Sequence, residues 1–232
     1  LRCGPVSGRC RRCRQEGPVR GSAGALRDID FGIYPYTTSS NVIGAYAPIG
    51  AGIPGHKLHN SIGVMKAYSS CVGDGPFAAE LAMTEEEKHD LREAGHEYGA
   101  ATGRPRRVGP IDLVASRYGV FCQGCDEVAL TLLDVLDYME KIPMVTAYKL
   151  TDGSTTTRFP MGEALDTAQP VVEYLPAGTV ISPQPASGKT CPRKHAITWN
   201  IWKRLSAARS PTSLWVPSVR LISTTYDPLQ SS

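Results

Sequence analysis

No run in this 232-residue sequence is apolar enough to span a bilayer. The opening stretch, L-R-C-G-P-V-S-G-R-C-R-R-C-R, has no apolar signal core. Those absences argue against a membrane span and a secretory leader, and leave the cytosol as the default compartment. Excess charge of one sign is missing too: 25 Lys and Arg against 22 Asp and Glu give a formal +3. That is too small a surplus to argue nucleic-acid binding. Seven cysteines are an odd number and too sparse for a disulfide scaffold. Two C-x-x-C pairs, Cys10/Cys13 and Cys122/Cys125, could in principle complete a Cys₄ zinc site. Roughly a hundred residues part them, whereas a zinc ribbon brings its pairs close. Chance pairing is the better reading, and no metal site is assigned. The histidines His56/His59 and His89/His96 have no further ligands at metal spacing. A G-x-x-x-x-G-K phosphate loop is also lacking.

What is present is the balance of a globular protein, with 41% hydrophobic and 20% charged residues. The length suits one large domain or two small ones. Residues 24–176 read as an ordered core. Thr84-Glu85-Glu86-Glu87 forms a capping box opening a charged helix through Leu91 toward His96. Ile62, Val64 and Lys66 alternate as a strand does, within a strand expected to reach Ser70. Glu127–Thr131 and Met144–Tyr148 are β-rich runs. V-F-C-Q-G-C-D-E-V (Val120–Val128) reads as strand, turn, strand, and Leu132–Glu140 as a turn followed by a short helix. Mixed strands and helices suggest an α/β layer protein. Residues 1–23 and 177–232 lack an apolar period, with Trp199, Trp202 and Trp215 at no regular spacing, and read as disordered flanks.

Gly99–Gly109, G-A-A-T-G-R-P-R-R-V-G, puts three arginines in four positions, between glycines and beside a proline that stops a helix. Arginine offers a planar fork for phosphate or carboxylate oxygens, and glycine allows close backbone approach. Taken alone, a solvated basic loop or an ion-pair cluster would explain it equally well. Three further motifs accompany it in order: D-I-D-F-G-I-Y-P-Y-T-T-S-S-N (Asp28–Asn41), V-M-K-A-Y-S-S-C-V-G-D-G-P-F (Val64–Phe77) and A-L-T-L-L-D-V-L-D (Ala129–Asp137). Together they resemble the adenylosuccinate synthetase family, GTP-dependent ligases that join aspartate to IMP. The resemblance covers about 150 residues and corresponds to the second half of a longer protein.

That resemblance implies a large mixed α/β sheet related to P-loop GTP-binding proteins, incomplete on its N-terminal side. It implies an aspartate loop of Ala100, Ala101, Thr102, Gly103, Arg104, Pro105 and Arg106, with alanines where the family has threonines. Thr38, Val72, Gly73 and Arg104 are the expected IMP contacts. Arg106, Leu132, Leu133 and Asp134 are the expected GTP contacts, Asp134 accepting from guanine, with Leu132 in place of the usual lysine. Arg107 lies outside the carried-over pair and is expected to matter less. His96, in G-H-E-Y-G, is read as structural. The family's catalytic base, acid, phosphate loop and Mg²⁺ ligands belong to its other half, so no catalytic residue is assigned and the chain alone is expected to be inactive. A complete protein is expected to be a homodimer acting on IMP, GTP and L-aspartate, with no nucleic acid or membrane partner.

Read one base over, suitable codons for Arg14–Ala23 and for the stretch from Ala177 yield family-like sequence. Both flanks therefore read as out-of-frame translations around a genuine core. Two alternatives remain from the residues: a non-catalytic nucleotide-binding remnant or regulatory partner, and an RNA binder using its arginines and tryptophans. The last is disfavoured because those residues are not interleaved.

Overall fold

A computed structural model describes residues 19–176, apart from Ser22, His56 and Ala101, together with the strand 218–221. Cys10, Cys13 and the three tryptophans lie outside the described residues. Two β-sheets organise the core. The first is parallel, in the order β1 (Ile62–Lys66), β4 (Glu127–Thr131), β8 (Ser218–Leu221). The second runs β2 (Tyr68–Cys71), β3 (Arg107–Asp112), β5 (Lys141–Lys149), β6 (Thr155–Thr156), with β7 (Gln169–Pro176) also paired to β5. Within it β3 and β5 are parallel and the other pairs antiparallel. The helices are α1 (Ala47–Gly50), α2 (Glu85–Gly95), α3 (Leu113–Gln123) and α4 (Glu163–Asp166).

Local chemistry sets the helix ends. Thr84 accepts from the Glu87 N–H and the Glu87 carboxylate accepts from the Thr84 N–H, so the capping box predicted for α2 is formed. His96 closes that helix in a left-handed conformation, φ 49°. Asp112 caps α3, its carboxylate accepting the N–H groups of Val114 and Ala115 at 3.0 Å. Burial pushes the Asp112 pKa up, against those bonds and the Tyr148 hydroxyl it accepts at 2.5 Å.

Two apolar clusters flank the second sheet. One gathers Leu91, Val108, Ile111, Leu130, Leu133 and Met144. The other gathers Ala79, Val114, Val145, Tyr148 and Leu165.

Three expectations are corrected. Val120–Gln123 is the last turn of α3, not a strand, and Gly124 ends the helix at φ 57°. The Val64–Ser70 strand is broken at Ala67 into β1 and β2, which belong to different sheets. Strand 218–221, inside the stretch expected to be a disordered flank, pairs in parallel with β4. An open sheet edge offers backbone groups to an extended segment whatever its side-chain period, which is why the composition of that flank did not reveal it.

Candidate substrate-clamp site

The arginine loop is a short hairpin. Tyr98 and Pro105 form an antiparallel bridge. The Arg106 N–H donates to the Glu97 carbonyl at 2.9 Å and the Gly99 N–H to the Arg104 carbonyl at 2.9 Å. Gly103 completes the tip with φ 64°, a region that suits glycine. Pro105 occupies a position that asks for no donor. The tip residues Ala100, Thr102, Gly103 and Arg104 are exposed, and Ala101 lies outside the described residues.

The three arginines go three ways. Arg104 is exposed, and among the described residues its guanidinium has no hydrogen-bond or ion-pair partner. Arg106 turns inward, donating from NH1 to Glu97 at 2.9 Å, while its Nε is buried without a partner. Arg107, expected to matter less, is fully engaged. It holds Glu80 through Nε at 2.8 Å and NH2 at 2.6 Å, donates to the Gly75 carbonyl at 2.7 Å and stacks over Phe77. Its place next to the loop gave no sign of this, because those partners are some 30 residues away in sequence.

Glu97 is the hub that sequence reasoning missed. Only 2% exposed, it accepts from Lys66 Nζ at 2.5 Å and the Tyr68 hydroxyl at 2.6 Å as well as from Arg106. Burial alone would raise its pKa, but these donors hold it below the usual carboxylate range. Burial and the adjacent carboxylate push the Tyr68 hydroxyl upward, and Asp134 adds to this from nearby. Lys66 ends β1 opposite Thr131 of β4. The network therefore reaches from the arginine loop to the strand that leads into Leu132–Asp134.

In that turn Leu132 has φ 58°, strained for a branched residue, and packs against the first apolar cluster. Leu133 is buried, and Asp134, half-buried, opens the 3-10 turn Asp134–Leu136. The short helix expected there is this single turn.

Thr38 is half-buried, its N–H donating to the Arg27 carbonyl at 2.7 Å and its hydroxyl lying 3.3 Å from Ser40 Oγ. The turn before it is organised by Asp28, a fully buried carboxylate. Its burial is overcome by the N–H groups of Val42, Asp30, Phe31 and Ile43, which lower its pKa. Val72 and Gly73 sit in an exposed loop after β2. The structure thus brings Thr38, Val72 and Gly73 together around Arg27, and Arg106 and Asp134 around the Glu97 network, while Arg104 stands alone at the hairpin tip. Among the described residues no group of three His, Cys, Asp or Glu is placed to hold a metal ion.

Comparisons with known proteins bear on the family and the fold. The family model described as adenylosuccinate synthetase matches residues 18–181. The adenylosuccinate synthetase of Symbiobacterium thermophilum is 47% identical over 159 residues, 67% of this chain and 36% of that protein. That of Listeria monocytogenes serotype 4b is 47% identical over 160 residues, 68% of this chain and 36% of the relative. The chain thus spans about a third of the length of these curated relatives. The fully ligated adenylosuccinate synthetase from Plasmodium falciparum superposes with a TM-score of 0.76 at 29% identity, covering 93% of this chain and 49% of that one. A family match over most of the chain means that this chain belongs to the adenylosuccinate synthetase family.

Proposed function

We propose that this chain carries the substrate clamps of an adenylosuccinate synthetase, which uses GTP to join L-aspartate to IMP and yields adenylosuccinate, GDP and phosphate. The observation that supports it most is the division of labour in the loop. Arg106 and Arg107 are fixed by carboxylates, and among the described residues Arg104, at the exposed tip of the hairpin, has no partner. An unpaired guanidinium on a held backbone is pre-organised for a carboxylate or phosphate.

In this reading Thr102, Gly103 and Arg104 take the aspartate carboxylates, with Ala100, Ala101 and Pro105 shaping the loop. Arg104 also faces the IMP ribose with Val72 and Gly73, and the Thr38 hydroxyl donates to the IMP phosphate. Arg106, its Nε left without an acceptor, faces both aspartate and GTP. Asp134 accepts from guanine N1 and N2, a donor pattern that adenine lacks, with Leu132 and Leu133 as its apolar surround. Mg²⁺ would neutralise charge on the transferring phosphoryl group, held by residues of the family's other half. The described residues do not fit such an ion. What these residues do is bind, orient and select. The complete enzyme is proposed to be a cytoplasmic homodimer.

The test is equilibrium titration of the purified chain with GDP, IMP and L-aspartate. The reading expects GDP to bind more tightly than ADP, and Arg104→Ala to weaken aspartate binding without changing the thermal midpoint. Equal affinity for GDP and ADP, or aspartate binding indifferent to Arg104, overturns it.

A further inference from the structure

We propose that Arg27 is a positioning residue for the nucleotide site, tying the segment that carries Thr38 to the loop that carries Val72 and Gly73 so that the two act as one unit. The inference rests on the IMP reading above, and its test separates the two.

Arg27 ends the 3-10 turn Ala25–Arg27, and its backbone carbonyl accepts the Thr38 N–H at 2.7 Å. Its guanidinium then spans two segments far apart in sequence. NH1 donates to the Tyr36 carbonyl at 2.6 Å. NH2 donates to the Val72 carbonyl at 2.9 Å and lies 2.7 Å from Cys71 Sγ. Both nitrogens also reach the Asp74 carbonyl at 3.4 Å. Arg107, on β3, holds the Gly75 carbonyl at 2.7 Å. The 72–75 loop is thus held by two guanidiniums, one from each of the neighbouring ligand-bearing segments.

The loop requires such holding. Gly73 and Gly75 have φ of 80° and 111°, so the chain there has more freedom to lose than any other residue type would give it. Gly75 also lies directly against Tyr36: a Cβ there would sit 2.7 Å from the ring. Tyr36 therefore packs on the loop while its carbonyl takes the Arg27 proton, and segment and loop meet twice. Charge-assisted bonds to carbonyls are stronger than neutral ones. An ammonium on a flexible stem cannot serve several acceptors in the fixed directions of a planar fork.

The acceptors are carbonyls and a thiol, and among the described residues no carboxylate pairs with Arg27. Its positive charge adds to the field beside the Thr38 turn, where the ionised Asp28 is already satisfied by four backbone donors.

The experiment uses the full chain as wild type, Arg27→Met and Arg27→Lys. Each is titrated with IMP and with GDP, and amide hydrogen exchange is followed in residues 36–41, 71–77 and 108–112. The expected result for Arg27→Met is IMP binding weakened by about tenfold, with GDP binding unchanged. Exchange is expected to rise together in 36–41 and 71–77 while 108–112 stays protected. Arg27→Lys, which keeps the charge but not the fork, is expected to stay weakened for IMP. A merely structural role would lower both affinities and expose all three segments, which overturns the proposal. So does IMP binding equal to wild type in Arg27→Met, or exchange rising in one segment only. If the wild type binds GDP but not IMP, the IMP assignment fails and hydrogen exchange alone decides: a concerted rise upholds the tie, its absence overturns it.

Discussion

Glu97 is ionised although it is buried, because Lys66, Tyr68 and Arg106 all donate to it. Removing that charge leaves two cations facing each other, so Glu97→Gln is expected to destabilise the chain by about 3–5 kcal/mol at neutral pH. A depressed pKa makes this contribution complete above the unfolded-state value, about 4.3. It is lost as pH falls through the lower folded-state value. Urea unfolding should therefore show the gap between wild type and Glu97→Gln narrowing below about pH 4; a constant gap contradicts it. Asp28 behaves in the same sense, while Asp112, its pKa raised by burial, opposes them both. The arginines separate by the same logic. Arg104→Ala should leave stability within about 0.5 kcal/mol, because an exposed side chain without a partner is lost. Arg106→Ala should cost several times that, because Glu97 stays behind. In an intact enzyme built around this core, both should lose about 2–4 kcal/mol of transition-state binding, read from kcat/KM. Three like residues in four positions carry no mark in the sequence of which one is free; the partners Glu97, Glu80 and Gly75 decide that, and only folding brings them near.

The elements were legible where their signals are local. The Thr84 capping box and the β-rich run Glu127–Thr131 appear at the expected positions because cap and period lie within a few residues. Helix α3 was misread because Val120 and Phe121, taken from its last turn alone, resemble the start of a strand. Its cap, Asp112, and its stop, Gly124, show the helix only when the whole interval is considered. The register of β3 was not legible at all, since it depends on contact with another element. Gly109 in β3 meets the backbone of the 3-10 turn Ala78–Ala82 so closely that a Cβ would lie 2.7 Å from the Ala79 carbonyl carbon and oxygen. Backbone cannot move aside as a flexible side chain can. Gly109→Ala is accordingly expected to destabilise by about 1–3 kcal/mol, and, because β3 begins at Arg107, to weaken ligand binding too. Thermal unfolding checks the first part. A Gly109→Ala variant as stable as wild type would show that the strand and turn can separate without loss.

At the scale of the whole molecule, three carboxylates beside the proposed clamps are already engaged, and a fourth is assigned to binding. Glu97 has three donors, Glu80 is held by Arg107, Asp28 accepts four backbone N–H groups, and Asp134 is the proposed reader of guanine. Arginine stays protonated and cannot serve as a base. Ligation of aspartate to IMP needs proton transfer and stabilisation of phosphoryl charge, and neither is supplied by these residues. The expected outcome is that the 232-residue chain, given IMP, GTP, L-aspartate and Mg²⁺, forms no adenylosuccinate, while the same preparation binds GDP in equilibrium titration. The paired measurement matters, because a folded, ligand-binding chain without turnover locates the deficit in the chemistry rather than in the clamps. Asp134→Asn in that preparation should relax the preference for GDP over ADP, since an amide replaces one acceptor with a donor. Turnover by the chain alone would mean that one of these carboxylates acts as a base, and the hydrogen-bond assignments around Glu97 would be the first to give way.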